Sequence, residues 1–175
     1  MSWSIDRIME ELCKDVMFDK IVLHDRVEYR LNGLLHNRSD EPAVIYNNGR
    51  KEWRECDELH RLSGPAIVHP DGTEEWYMFG YRHRDLDEPA ITLPDGTKYW
   101  YHVGRQYRGG GKPNVILANG TQCWYEDGVL HRDYNQGPAI IFFNGRGKHY
   151  IHGKEVHSVR DSLIAEYEWN NGIAS

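Results

Sequence analysis

The sequence predicts a mainly β protein: an elongated antiparallel β-meander of about five hairpin repeats with a capping helix at each end. Three columns of residues carry that expectation. Pro42-Ala43, Pro65-Ala66, Pro89-Ala90, Pro113-Asn114 and Pro138-Ala139 form one; Gly49, Gly72, Gly96, Gly120 and Gly145 form a second, spaced 23 to 25 residues apart. Trp53, Trp76, Trp100 and Trp124 form the third, each four residues after its glycine. A short fixed period means one small unit stacked along an axis, touching mainly its neighbours.

Each unit reads as two strands. Ile67-Val68 before Asp71-Gly72 and Trp76-Tyr77 after it have strand-forming side chains. Asp-Gly and Asn-Gly between such runs predict two-residue type I′ turns, which need positive φ at both residues. On that register Ile67 faces Trp76, and an Ile or Val faces every tryptophan. Asn32-Gly33 and Asp127-Gly128 predict further tight hairpins. The second strand is long and kinks at its Gly-Pro or Glu-Pro step, because proline cannot donate into a ladder. About ten strands at roughly 4.8 Å spacing form the ribbon.

The chain divides into a helical cap and lead-in over 1–28, the repeat array over 29–157, and a second helical cap over 158–175. Ile5, Ile8, Met9, Leu12 and Val16 share one helical face, with Ser4 as cap and Trp3–Ile8 as a hydrophobic staple. Ser158-Val159-Arg160-Asp161 resembles a capping box. Val159, Leu163 and Tyr167 follow at i, i+4 and i+8, and Gly172 can end the helix. Such ends hide the exposed strand edges of an array.

Composition narrows the functional classes. A net charge of −6 argues against general nucleic-acid binding, yet leaves room for a small anion in a local basic pocket. The 21 aromatic residues allow a thin structure to bury enough area. Cys13, Cys56 and Cys123 are odd in number and scattered, so neither a disulfide framework nor a zinc-ribbon spacing is present. The opening residues lack a basic stretch followed by an apolar run, and no segment is apolar enough to insert in a membrane. Cytoplasmic residence is the expectation.

Trp76-Tyr77…Gly80…His83 and Trp124-Tyr125…Gly128…His131 carry a pattern that resembles the MORN repeat. The resemblance spans 29–157. It departs where His60-Arg61…Gly64-Pro65-Ala66 and His131-Arg132…Gly137-Pro138-Ala139 replace the family's His-Gly step. That variety is similar to repeat proteins of phages and large DNA viruses. The resemblance implies an interaction scaffold without shared catalytic residues. It points to a phage- or virus-encoded protein engaging, and in one version inhibiting, a host protein such as a defence factor. The family's proposed lipid contact fits poorly with an acidic chain.

Candidate chemistry falls in two columns. His36, His60, His83 and His131, with Tyr107 in the fourth unit, recur on adjacent hairpins; members about 10 Å apart are too distant to share one ion. Each is expected to bond a backbone group of the bent strand and fix its kink. Neither metal nor cofactor is expected. Arg61, Arg84, Arg108 and Arg132 lie near the aromatic residues Tyr77, Tyr101 and Tyr125, and arginines so placed can hold a phosphate while a base stacks. Alternatively they pair with Asp85, Asp87, Glu88 and Asp133 as a solvated ladder. Gly109-Gly110-Gly111-Lys112, next to Tyr107, replaces the acidic loop: either its amides cradle an anion, or neither side chain nor charge is needed there. No GxSxG turn surrounds Ser63, Ser158 or Ser162, and the carboxylates read as scattered over loops. The leading expectation is a non-catalytic protein-binding ribbon. The alternative is a nucleotide or small-anion sequestering protein, acting alone or as a homo-oligomer.

Overall fold

The computed structural model describes residues 17–173, so the expected N-terminal helix lies outside the described residues. The architecture is an antiparallel meander. Its 14-stranded sheet runs in chain order from Phe18–Val22 and Arg26–Leu31 to Gly147–Ile151 and Lys154–Val156. Four two-stranded hairpins stand off this sheet: Arg54–Glu55 with Glu58–Leu59, Tyr77–Met78 with Tyr81–Arg82, Tyr101–His102 with Arg105–Gln106, and Tyr125–Glu126 with Val129–Leu130. The aromatic strand of each unit therefore breaks at its tryptophan. One half stays in the long sheet and the other enters a tip hairpin. The bent strand breaks likewise at its proline.

The two kinds of turn differ from one expectation and match another. Tip turns such as Asn32-Gly33, Phe79-Gly80, Val103-Gly104 and Asp127-Gly128 have positive φ at both residues, as type I′ requires. The Asp-Gly turns of the long sheet are instead three-residue turns. His69 N–H donates to Thr73 O at 2.9 Å and Gly72 N–H to His69 O at 3.0 Å, with positive φ at Gly72 alone. The Asp71 carboxylate accepts the Thr73 N–H at 2.8 Å, holding the aspartate out of the left-handed region. Asn48, Asp95, Asn119 and Asn144 do the same.

This one-residue difference moves the register. Ile67 pairs with Glu75, not with Trp76, and the Trp53, Trp76 and Trp124 N–H groups donate to the alanine carbonyl of the next Pro-Ala step, with Asn114 in that place for Trp100. Ala43, Ala66, Ala90 and Ala139 are fully buried there, and Trp53, Trp100 and Trp124 are 9%, 6% and 9% exposed. One face of the sheet becomes a continuous cross-strand row: Glu28, Val44, Glu52, Ile67, Glu75, Ile91, Tyr99, Val115, Cys123, Ile140 and Lys148. Three carboxylates are thus interior rather than on loops. Glu28 sits between Arg26 and Arg30, each at 2.7 Å, and Glu52 between Arg50 and Arg54, also at 2.7 Å. Glu75 accepts from Tyr77 and Arg82, and pairs with His69 at 2.8 Å.

The C-terminal helix, Val159–Asn170, starts as expected: Ser158 Oγ accepts the Asp161 N–H at 3.1 Å. It ends with Gly172 at φ 66°, where Ile173 N–H reaches Glu168 O and Gly172 N–H reaches Trp169 O. It docks through Ser162 and Ala165, the latter packed on Ile151 and Val156. The triple Val159, Leu163 and Tyr167 points the other way and stays exposed. Among the described residues, no helix is long and apolar enough to cross a membrane.

Gly96 has φ +90° with open space where a side chain would go, so Gly96→Val tests conformation alone. We expect a loss of about 1 kcal/mol or more by urea denaturation. Trp100→Ala should cost about 3–5 kcal/mol in the same assay.

Candidate functional site

Adjacent tip hairpins are joined by a repeated seam. The second turn residue donates its N–H to a carbonyl of the preceding unit: Asp57 to Leu35, Gly80 to Leu59, Gly104 to Arg82 and Gly153 to Leu130, at 2.8–3.0 Å. The first turn residue donates to the Nδ1 of a column histidine: Phe79 to His60, Val103 to His83 and His152 to His131, at 3.1–3.2 Å. His60, His83 and His131 therefore tie one repeat to the next, instead of fixing a kink within their own bent strand, whereas the buried Nδ1 of His36 has no partner among the described residues.

Between the hairpins of Tyr101–Gln106 and Tyr125–Leu130, neither kind of bond is formed among the described residues. Tyr107 stands in the histidine column and has no Nδ1 to offer. Asn114 stands where other units have a buried alanine. Its Nδ2 donates to Gln106 O at 3.2 Å and to Tyr125 O at 2.6 Å, while its Oδ1 accepts the Tyr125 N–H at 2.9 Å. A methyl group at Gly80, Gly104 or Gly153 would touch the preceding hairpin, but at Gly128 it would meet open space. The result is an open cleft of about 860 Å³, with buried Asn114 and Trp124 at its base. Ligand sites commonly fall in roughly 300–1,000 Å³.

Five of the nine sequence-predicted residues line this cleft: Tyr107, Arg108, Lys112, Tyr125 and Arg132. Arg84 and Tyr101 line a smaller neighbouring hollow of about 130 Å³, together with Tyr107 and Arg108. Arg61 lies in a separate depression near the start of the array. Tyr77 belongs to the Glu75 network. Arg105, His102 and Asn114 also line the cleft and were not singled out by sequence reasoning. Asn114 could have been, since it alone breaks the Pro-Ala column.

The arginine column has a shared structural job. Each guanidinium lies on a tryptophan ring: Arg61 on Trp53, Arg84 on Trp76, Arg108 on Trp100 and Arg132 on Trp124, at 3.8–4.0 Å from the ring centroid. Each Nη1 donates to a proline carbonyl, of Pro65, Pro89, Pro113 and Pro138 respectively. Two of the four are completed by a carboxylate from one repeat earlier. Asp40 takes both Nε and Nη2 of Arg61 at 2.9 Å, and Asp87 takes those of Arg108 at 2.6 and 3.1 Å. The ladder expected from Asp85, Glu88 and Asp133 is reduced to a 4.0 Å approach of Glu88 to Arg84. Lys112, the cation of the glycine loop, also binds Asp87, at 2.7 Å.

Two groups hold three metal-type ligand atoms within 4.8 Å of one another: His83, Asp85 and His102, and His131, His152 and Glu166. Both combine a column histidine with a histidine from the next tip hairpin, a pairing invisible to spacing along the column alone. The Nδ1 atoms of His83 and His131 already accept backbone N–H groups, so the neutral rings carry their proton on Nε2. That nitrogen faces Asp85 at 3.0 Å and Glu126 at 3.3 Å as a donor. Ligation through Nε2 would first have to break the seam.

No protein-family model matches the chain, and no curated protein matches it.

The Arg61 guanidinium, with the Ser63 hydroxyl, lowers the Asp40 carboxyl to about 2; Arg108 and Lys112 hold Asp87 well below the usual carboxylate range. A depressed folded-state value stabilises the fold fully above the unfolded value of about 3.9. That contribution is lost as pH falls toward the folded one. Urea midpoints should therefore drop from about pH 4 to pH 2. Asp40→Asn and Asp87→Asn should flatten that acid limb, and salt should shrink the effect because both pairs are partly exposed.

Proposed function

We propose that the chain is a non-catalytic, MORN-like binding protein whose ligand occupies the cleft between the hairpins of Tyr101–Gln106 and Tyr125–Leu130. The observation that carries this is the interrupted seam: four hairpin junctions close by backbone bonds and this one is held open by Asn114. Basic and aromatic side chains from two repeats converge there, as the small-anion reading requires, and Glu126, Asp127 and Asp133 share the lining. The absence of catalysis is supported by how the reactive groups are engaged. His60, His83 and His131 accept backbone N–H groups at Nδ1, and burial pushes the Cys123 thiol up, away from the reactive thiolate.

The double variant Tyr107→His/Asn114→Ala restores the residues of the other seams. It should close the cleft and raise the melting midpoint. A thermal-shift panel of mono-, di- and cyclic nucleotides should stabilise the native chain and not this variant. No stabilisation by any of them would retire the nucleotide version, and equal stabilisation of both proteins would place the ligand elsewhere.

A second reading, a protein partner, rests on a different observation. Val159, Leu163 and Tyr167 form an exposed apolar stripe, 54%, 66% and 63% exposed. In the phage- or virus-encoded version that partner is a host protein. Stoichiometric capture from host lysate, lost on Leu163→Glu, supports this reading; capture of nothing, or capture unaffected by the substitution, opposes it.

A further inference from the structure

The repeats supply an internal reference for what is missing in the cleft. Asp40 lies 21 residues before Arg61 and Asp87 lies 21 before Arg108; the corresponding position before Arg132 is Gly111. The backbone there follows the same path. Ser39-Asp40 has φ values of 57° and 58°, Leu86-Asp87 63° and 60°, and Gly110-Gly111 74° and 67°. Trp124 Nε1 donates to Gly111 O at 2.8 Å, as Trp53 does to Asp40 O and Trp100 to Asp87 O. Arg132 keeps its stack on Trp124 and its bond to Pro138 O. What it lacks is the carboxylate, and its Nε is buried with no acceptor among the described residues. Burying an N–H unpaired is unfavourable, and a guanidinium edge of this kind is matched by a planar two-oxygen anion.

We propose that the cleft binds a small molecule through a carboxylate or phosphate group that takes the place of the missing aspartate and accepts from Nε and Nη2 of Arg132. This rests on the cleft being the ligand site, and it names the group recognised there. The remainder of the ligand lies along the cleft beside Tyr107 and Tyr125, whose rings can stack on a base. Burial lowers the proton affinity of the Arg132 guanidinium, in keeping with a cation short of its counter-ion. The Arg108 and Lys112 charges, already bound to Asp87, flank this position without competing for the anion.

The test is substitution of the missing group. Nothing lies within 4 Å of a side chain added at Gly111, and Asp40 and Asp87 tolerate the same φ, so Gly111→Asp should fold. The readout is the Arg132 Nε–H signal in a ¹⁵N-correlated NMR spectrum, assigned by its loss in Arg132→Lys. Inorganic phosphate, acetate and adenosine monophosphate are titrated separately into the native chain. Movement of that signal by at least one of them is expected. Phosphate without acetate assigns a phosphate head group, and the reverse assigns a carboxylate. In Gly111→Asp the signal should shift without any addition, the melting midpoint should rise by about 2–4 °C, and the anion response should weaken at least about tenfold. A native Arg132 signal unmoved by all three anions, or a response unchanged in Gly111→Asp, overturns the assignment. If adenosine monophosphate moves the Tyr107 and Tyr125 signals but not Arg132, the cleft remains the ligand site and the Arg132 role falls.

Discussion

The array depends on a guanidinium lying flat on an indole at each bend. A chain that leaves a long sheet at every proline exposes a carbonyl and loses a donor, and the arginine corrects both by covering the tryptophan and donating to the proline carbonyl. The indole is fixed from its other side, since its own N–H is accepted 13 residues back in three of four cases. Trp76 is the exception. Its loop, from His60 to Pro65, is one residue shorter than that from His83 to Pro89, and its buried Nε1 has no partner among the described residues. Planarity matters here: a lysine could supply the charge but could neither cover the ring nor fork to a carboxylate.

The interior row shows a second use of charge. In the first half of the array Glu28, Glu52 and Glu75 alternate with Val44 and Ile67, each carboxylate held by two or more donors. In the second half Tyr99 and Cys123 take the glutamate positions. A buried ion pair seldom adds net stability over an apolar pair, but it strongly opposes any register that leaves the charge alone. Hairpins so alike in sequence can slip by a whole unit. Three charged steps followed by two neutral ones make the halves chemically distinct, which disfavours such slips.

How much of this is written legibly in the residues can be judged from particular positions. The period, the tryptophan positions, the tip turns and both ends of the C-terminal helix follow from glycine, proline and capping chemistry, which are local. The register of the long sheet does not, because Asp-Gly is compatible with two- and three-residue turns. The choice rests on whether the aspartate bonds the amide two residues on, a matter of about one hydrogen bond. That single slip hid the buried glutamates, although Arg26-x-Glu28-x-Arg30 and Arg50-x-Glu52-x-Arg54 repeat at the period of the array. The helix misleads in the opposite way. Its most apolar stripe is the one left exposed, while the buried positions are the small residues Ser162 and Ala165, the latter against Ile151 and Val156.

The candidate site was half visible for the same reason. Tyr107 and the glycine loop stand out as breaks in a column, but what a break does depends on what the column does. Once the histidines are seen to accept the amide of the next tip turn, a tyrosine there means an unclosed junction. Once Asp40 and Asp87 are seen to complete the arginine of the next repeat, a glycine there means an uncompleted cation. Both faults, with Asn114 as the wedge between them, fall on the same pair of repeats. Single losses occur elsewhere, since Arg84 has no bidentate carboxylate and neither Trp76 Nε1 nor His36 Nδ1 has a partner among the described residues. Tyr107, Gly111 and Asn114 combine three of them at one pair of repeats, beside a cavity with a polar base. A repeat protein can become a binding protein in this way without adding any element to its fold, by leaving one of its own recurrent interactions to be made by another molecule.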